Sequence, residues 1–339
     1  MQHSLAMKNC AGSHEMRKIS NVIFDRDHTI ELKGVAILLV MLGHVNVIPH
    51  AGAYGVALFL MLSGFGLVQS YIKSGLDSFF SKRLSKVLVP YAIITIVWII
   101  AFGHPAITND DFYHLAITIL GIDLNATIDP SMWYISFIII WYLAFFLIFS
   151  ANISINIKVA FLFLFSVLLY KNADIFPPPA GAGLYVAAFP LGSLIGVVYE
   201  KVKGYAIDKW ILLLFVIVSL VSLTLSLYFY KGIDVSFFDY AATNIASAFL
   251  IIGITSILRV ANINITPLKF VGILSYEMYL IEFMFLMKAY HLLSFISSDG
   301  IKSVLFVVIV CIFAYVYKYV LSIVFKALRK ALPNSKIYT

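Results

Sequence analysis

Apolar stretches close to twenty residues long recur along this chain from residue 32 to residue 325. About 20 such residues, coiled as a helix, cross the hydrocarbon layer of a bilayer. The composition agrees: 62% of residues are hydrophobic, 12% are charged, and the mean hydropathy is +0.96. Soluble domains average about 25% charged residues. The expected fold is an all-α integral membrane protein.

The apolar runs and their polar breaks predict about ten transmembrane helices. They fall near 32–49, 53–72, 88–103, 131–150, 157–171, 184–199, 209–230, 240–258, 267–288 and 301–325. The stretch FPPPAGAG (176–183) is the clearest breaker, since proline neither continues a helix nor donates a backbone hydrogen bond. Residues 104–130 hold a shorter pattern, FYHLAITILGI, that reads as an interfacial or re-entrant segment.

Ten spans put both termini on one side. With that side cytoplasmic, 20 of the 24 lysines and arginines lie inside, and the outer side keeps Lys171, Lys231, Lys288 and Lys302. That is a strong positive-inside bias. The net charge of +7 therefore reads as topology rather than as a nucleic-acid surface. The loop 104–130 fits an external position, with Asp110, Asp111, Asp123 and Asp129 and no Lys or Arg. The division is a cytoplasmic tail over 1–30, a membrane domain over 31–325 and a cytoplasmic tail over 326–339. Residues 1–30 lack the apolar run of a cleaved leader, so the spans are expected to drive insertion. Cys10 and Cys311 are too differently placed to pair, and no metal-ligand set is present.

Chemistry in such a chain must sit in or beside the bilayer. In KGVAILLVMLGHV (33–45), Lys33 and His44 are eleven positions apart, within about 20° of one helix face and separated by roughly 16 Å. One face thus presents a cation near the cytoplasmic surface and an imidazole near mid-bilayer. Such a histidine either faces a polar cavity or bonds a neighbouring carbonyl. In GVALFLMLSGFG (55–66), Gly64 and Gly66 permit close backbone approach and Ser63 can bond across helices. In SFFSKRLSKVLVPY (78–91), Lys82, Arg83 and Lys86 form either a positive-inside anchor or a phosphate site, with Pro90 opening the next helix. His50 and His104 read as solvated.

These three segments, in this order, resemble the N-terminal signature of acyltransferase family 3, transmembrane enzymes of about ten spans. Lys33 and His44 fit that family's spacing of a basic residue, ten residues and a histidine, with lysine where arginine is commoner. MWYI (132–135) and SYEMYLIEF (275–283) are similar to later family patterns, with Glu282 where histidine is common. The resemblance covers roughly residues 28–325.

It implies transfer of an acyl group, usually acetyl from acetyl-CoA, to a hydroxyl of a sugar or surface polysaccharide at a bacterial inner membrane, with no metal. Lys33, Lys82, Arg83 and Lys86 would meet the CoA phosphates. His44 would be general base or acyl carrier, Ser63 a donor to the oxyanion, and Glu282 a partner of the imidazole or of acceptor hydroxyls. Trp133 and Tyr134 are either interface anchors or a sugar-stacking surface, and Tyr279 is either packing or an acceptor contact. Two other readings stay open. Buried His, Glu and basic residues also suit a transporter or flippase, and a scaffold that has lost catalysis would keep the spans.

Overall fold

The computed structural model describes residues 18–48, 50–108, 111–172, 182–230, 237–263 and 265–331. Most of the FPPPAGAG breaker, Asp110, Lys231 and much of both tails lie outside them.

Helix α1, Arg26–His44, begins six residues before the apolar run because polar partners hold its first turns. Asp25 caps it, accepting from the His28 amide at 2.6 Å. Arg259 binds Asp25 and reaches Glu31 at 2.8 Å, while Lys269 binds Asp27 at 2.7 Å. The helix stops at His44, and Asn46 then takes a left-handed φ of 56°. The imidazole therefore belongs to the last turn of a helix, not to the middle of a span reaching residue 49.

Helix α2 is Ala51–Ser74 and α3 is Phe79–Phe102. Pro90 lies in the first turn of the α-helical stretch Val89–Phe102, as expected, and a π turn at Leu84–Leu88 joins that stretch to Phe79–Arg83. Two tyrosines hold this stretch: Tyr276 donates to the Val87 carbonyl at 2.7 Å and Tyr317 donates to that of Pro90.

A short helix, α4 (Phe112–Ile119), exposes Phe112 and Tyr113 at 75% and 76%, as an interfacial segment should. Tyr91 bonds the Thr118 carbonyl and Ser136 bonds that of Gly121, both at 2.9 Å, and these bonds tie the segment to the bundle. His104 is buried here beside Thr118 rather than solvated.

The remaining long helices are α5 (Trp133–Ser150), α6 (Ile155–Lys171), α7 (Ala188–Val202), α8 (Lys209–Tyr230), α9 (Phe237–Val260), α10 (Thr266–Lys288) and α11 (Asp299–Ala331). Helices α2, α3, α5, α7, α9, α10 and α11 provide seven segments long and apolar enough to span a membrane. Helix α1 carries Asp27, Glu31 and Lys33, α6 has 17 residues, and the apolar part of α8 is short, so these three fall outside that set. Among the described residues there are no strands, only one isolated bridge from Lys18 to Ala206.

Small residues set the helix positions. On α1 and α10, a Cβ at Gly34 would lie 2.1 Å from the Leu268 carbonyl oxygen, and one at Gly272 would lie 1.8 Å from that of Ile30. The two backbones touch there and the helices run parallel. Helices α1 and α2 form an antiparallel hairpin instead, in which a Cβ at Gly43 would meet the Gly52 nitrogen at 2.4 Å. Behind them Trp141 stacks on Phe189 at 4.8 Å and Phe145 on Phe149 at 3.8 Å, the aromatic part of the core.

Candidate active site

The parallel crossing of α1 and α10 fixes the central pair. Ten residues beyond Gly34 is His44, and ten residues beyond Gly272 is Glu282. Equal numbers of residues rise equally, about 15 Å each, so the two side chains arrive level. The His44 Nδ1 and Glu282 Oε1 atoms are 2.8 Å apart. Glu282 is fully buried and the His44 side chain is 28% exposed. A carboxylate accepting from Nδ1–H leaves Nε2 with its lone pair, the tautomer a base requires. Phe283 packs edge-on to the imidazole at 4.9 Å and limits its rotation.

His44 lines a cavity of about 600 Å³ that extends along α1 to Lys33. The eleven-residue spacing survives intact because both residues lie on one unbroken helix. Arg83, just before the π turn of α3, and Lys86, within it, line the Lys33 end. Lys33, Arg83 and Lys86 form no salt bridge among the described residues, whereas the nearby Lys318 is bound by Glu277 at 2.9 Å. The Arg83 guanidinium lies against the Phe79 and Tyr142 rings at 5.8 and 5.5 Å, and its buried Nε has no hydrogen-bond partner among the described residues. Three cations without counter-ions around one cavity mouth make a site for an anion.

Lys82 is not part of this rim. Its ammonium turns back to the Asp77 carbonyl at 3.2 Å, because neighbours on a helix point about 100° apart. Ser63 is also displaced from its expected role. It lies eleven residues along α2 from Gly52, so the antiparallel hairpin carries it roughly 16 Å away from the level of Gly43. There it lines the cavity and hydrogen-bonds Tyr134 and Tyr142, far from the His44–Glu282 pair. Trp133, Tyr134 and Tyr279 do line the cavity. Trp133 stacks on Tyr185 at 5.6 Å, and Tyr279 donates to the Ser131 carbonyl at 2.6 Å.

One residue was read only as external-loop charge. Asp129 is 1% exposed, and its Oδ1 accepts from the Ser131 amide at 2.8 Å and hydroxyl at 2.7 Å. Its Oδ2, like Oε2 of Glu282, is buried without a hydrogen-bond partner among the described residues. Asp129 is close enough for its charge to act on His44. The sequence signal was the Asp-Pro-Ser start, a capping pattern that anchors the aspartate at the foot of α5.

An all-helical membrane bundle encloses a cavity with a histidine–carboxylate pair at one end and, among the described residues, cations without ion pairs at the other, an arrangement that can serve group transfer. The family comparison agrees: an acyltransferase domain, that of acyltransferase family 3, matches residues 30–323, nearly the whole chain. The chain belongs to this family and is a multi-pass membrane acyltransferase. Comparison with curated proteins and with solved structures returns no match.

Proposed function

We propose that this protein is an O-acyltransferase that moves an acyl group, acetyl in the first instance, from cytoplasmic acyl-CoA to a hydroxyl of a surface glycan or polysaccharide. In this reading the chain crosses an inner membrane ten times, with both termini in the cytoplasm, and α1, α6 and α8 complete the set of spans. The observation that carries it is the His44–Glu282 pair at 2.8 Å in a cavity whose other end holds Lys33, Arg83 and Lys86. Roughly 16 Å separates Lys33 from His44 along α1, about the reach of a pantetheine arm. CoA phosphates at the cation rim would bring the thioester to the imidazole.

The chemistry follows from the pair. An acceptor hydroxyl bonded to His44 Nε2 gives up its proton as its oxygen attacks the thioester carbonyl. Glu282 stabilises the imidazolium that forms, through the Nδ1–H bond. As the tetrahedral intermediate collapses, the carbon–sulfur bond breaks and the thiolate takes the proton back from Nε2. The products are the acylated acceptor and free CoA. Trp133 with Tyr185 offers a flat aromatic wall against which a sugar ring can stack.

The test is turnover of radiolabelled acetyl-CoA by wild type and His44→Ala in nanodiscs, with surface glycan as acceptor. Wild type should transfer label and the variant should bind donor without transferring it. Normal transfer by His44→Ala, or no acetyl-CoA binding by wild type, overturns the reading. In the second case, solute flux in proteoliposomes becomes the next measurement.

A further inference from the structure

A second cavity, about 420 Å³, opens beside the Lys33 end of the first. The two share Lys33, Leu62 and Gly66. It forms because residues 18–25 return across α2 and α7. The Ile19 amide donates to the Tyr205 carbonyl at 2.9 Å, and Phe24 stacks on Phe65 at 4.5 Å with Tyr199 edge-on at 6.2 Å. Among its charged walls, Asp25 is held by Arg259 and Lys203 by Glu200. Arg26 lines it with no ion pair among the described residues.

Gly66 is the informative residue. The two glycines of SGFG look interchangeable in sequence, and the structure separates them. A Cβ at Gly64 would lie 2.1 Å from the Phe189 carbonyl oxygen, so helix packing requires that glycine. A Cβ at Gly66 would meet nothing within 4 Å. Among the described residues no neighbour explains its missing side chain, and it lies where the cavities join.

Resting on the acyl-CoA reading above, we propose that the second cavity holds the nucleotide end of the donor, which crosses Gly66 to reach the first. The pantetheine arm fills the path from Lys33 to His44, so the adenosine and its 3′-phosphate must lie on the other side of Lys33. There the Phe24–Phe65–Tyr199 cluster offers a base-stacking face, and the Arg26 guanidinium suits a phosphate. Lys33, common to both cavities, takes the pyrophosphate between them.

Two donors separate the parts: acetyl-CoA and S-acetylpantetheine, which has the same thioester but no nucleotide. Each is assayed with wild type, Arg26→Ala and Gly66→Leu. Arg26→Ala should raise KM for acetyl-CoA about tenfold with kcat unchanged, the worth of one charge-assisted phosphate bond. KM for S-acetylpantetheine should not move. Gly66→Leu should impair acetyl-CoA by tenfold or more and S-acetylpantetheine by a clearly smaller factor. A Gly66→Ala control should melt at or above the wild-type temperature, since alanine favours helix and meets no clash here. An equal loss with both donors, or no loss with acetyl-CoA, overturns the nucleotide site while the transferase reading stands. Failure of wild type to use either donor removes both.

Discussion

Replacing Glu282 by Gln keeps the shape of the buried side chain and removes its charge. In the native pair the carboxylate accepts from Nδ1 at 2.8 Å with no solvent around it. Hydrogen bonds to a charged group contribute about 1.5–3 kcal/mol and neutral ones about 0.5–1.5. Removing the charge therefore costs the imidazolium-like transition state about 1–2 kcal/mol, which is roughly 5- to 30-fold in kcat. Glu282→Ala also strands the Nδ1–H in a buried site, a further loss of about 1–3 kcal/mol. The expected order is a mild loss for Gln, a severe one for Ala, and about 10²–10⁴-fold for His44→Ala. Donor KM should stay level throughout, because the cation rim is roughly 16 Å away along α1. Initial rates with labelled acetyl-CoA in nanodiscs give these values, and the double variant completes the cycle. Two groups acting as one unit are non-additive, so His44→Ala with Glu282→Ala should lose little more than His44→Ala alone. If the double loss equals the product of the single losses, the two residues do not act together and the mechanism fails.

Lys33→Ala should raise KM for acetyl-CoA about tenfold at constant kcat, because it removes a binding charge, and steady-state kinetics would show this. Gly272→Ala should abolish the folded protein, since its Cβ would sit 1.8 Å from the Ile30 carbonyl oxygen; fluorescence-detected size exclusion would report the loss. The segment 104–130 should loosen in acid. Burial, aided by the charge of His114, lowers the His104 pKa; burial works to raise that of Asp123, but bonds from Thr127, Asn125 and Thr118 overcome it and hold it down. Both shifts favour the fold above the unfolded values of 6.5 and 3.8 and are lost as pH falls through the lower folded values. Hydrogen exchange should therefore speed up in this segment at acid pH before it does in α10.

The helical bundle and the Lys33–His44 axis were legible in the sequence because both are local: one depends on apolar run length, the other on spacing within one helix. Glu282 was legible through depth alone, and its contact with His44 needed the parallel crossing at Gly34 and Gly272. That contact is a property of two backbones 238 residues apart. Ser63 shows the opposite case. It lies only 19 positions after His44, but the hairpin reverses the chain and carries it to the wrong end of the cavity. Lys82 and Arg83 are adjacent and identical in charge sign, and only the turn of the helix decides which faces inward. Asp129 carried a capping signal in Asp-Pro-Ser, but its burial was hidden because a capping aspartate looks the same in sequence whether it meets water or folds under the bundle.

The uncompensated cations at the Lys33 end have a consequence for the membrane itself. A cavity running roughly 16 Å along α1 removes about half of a ~30 Å insulating layer. An enzyme of this design that stands empty between turnovers risks becoming a leak for protons and sodium. Three fixed positive charges at the mouth repel those ions, just as positive groups lining selective pores exclude them. The charges proposed above to receive an anionic donor would thus also keep the bilayer electrically closed while none is bound.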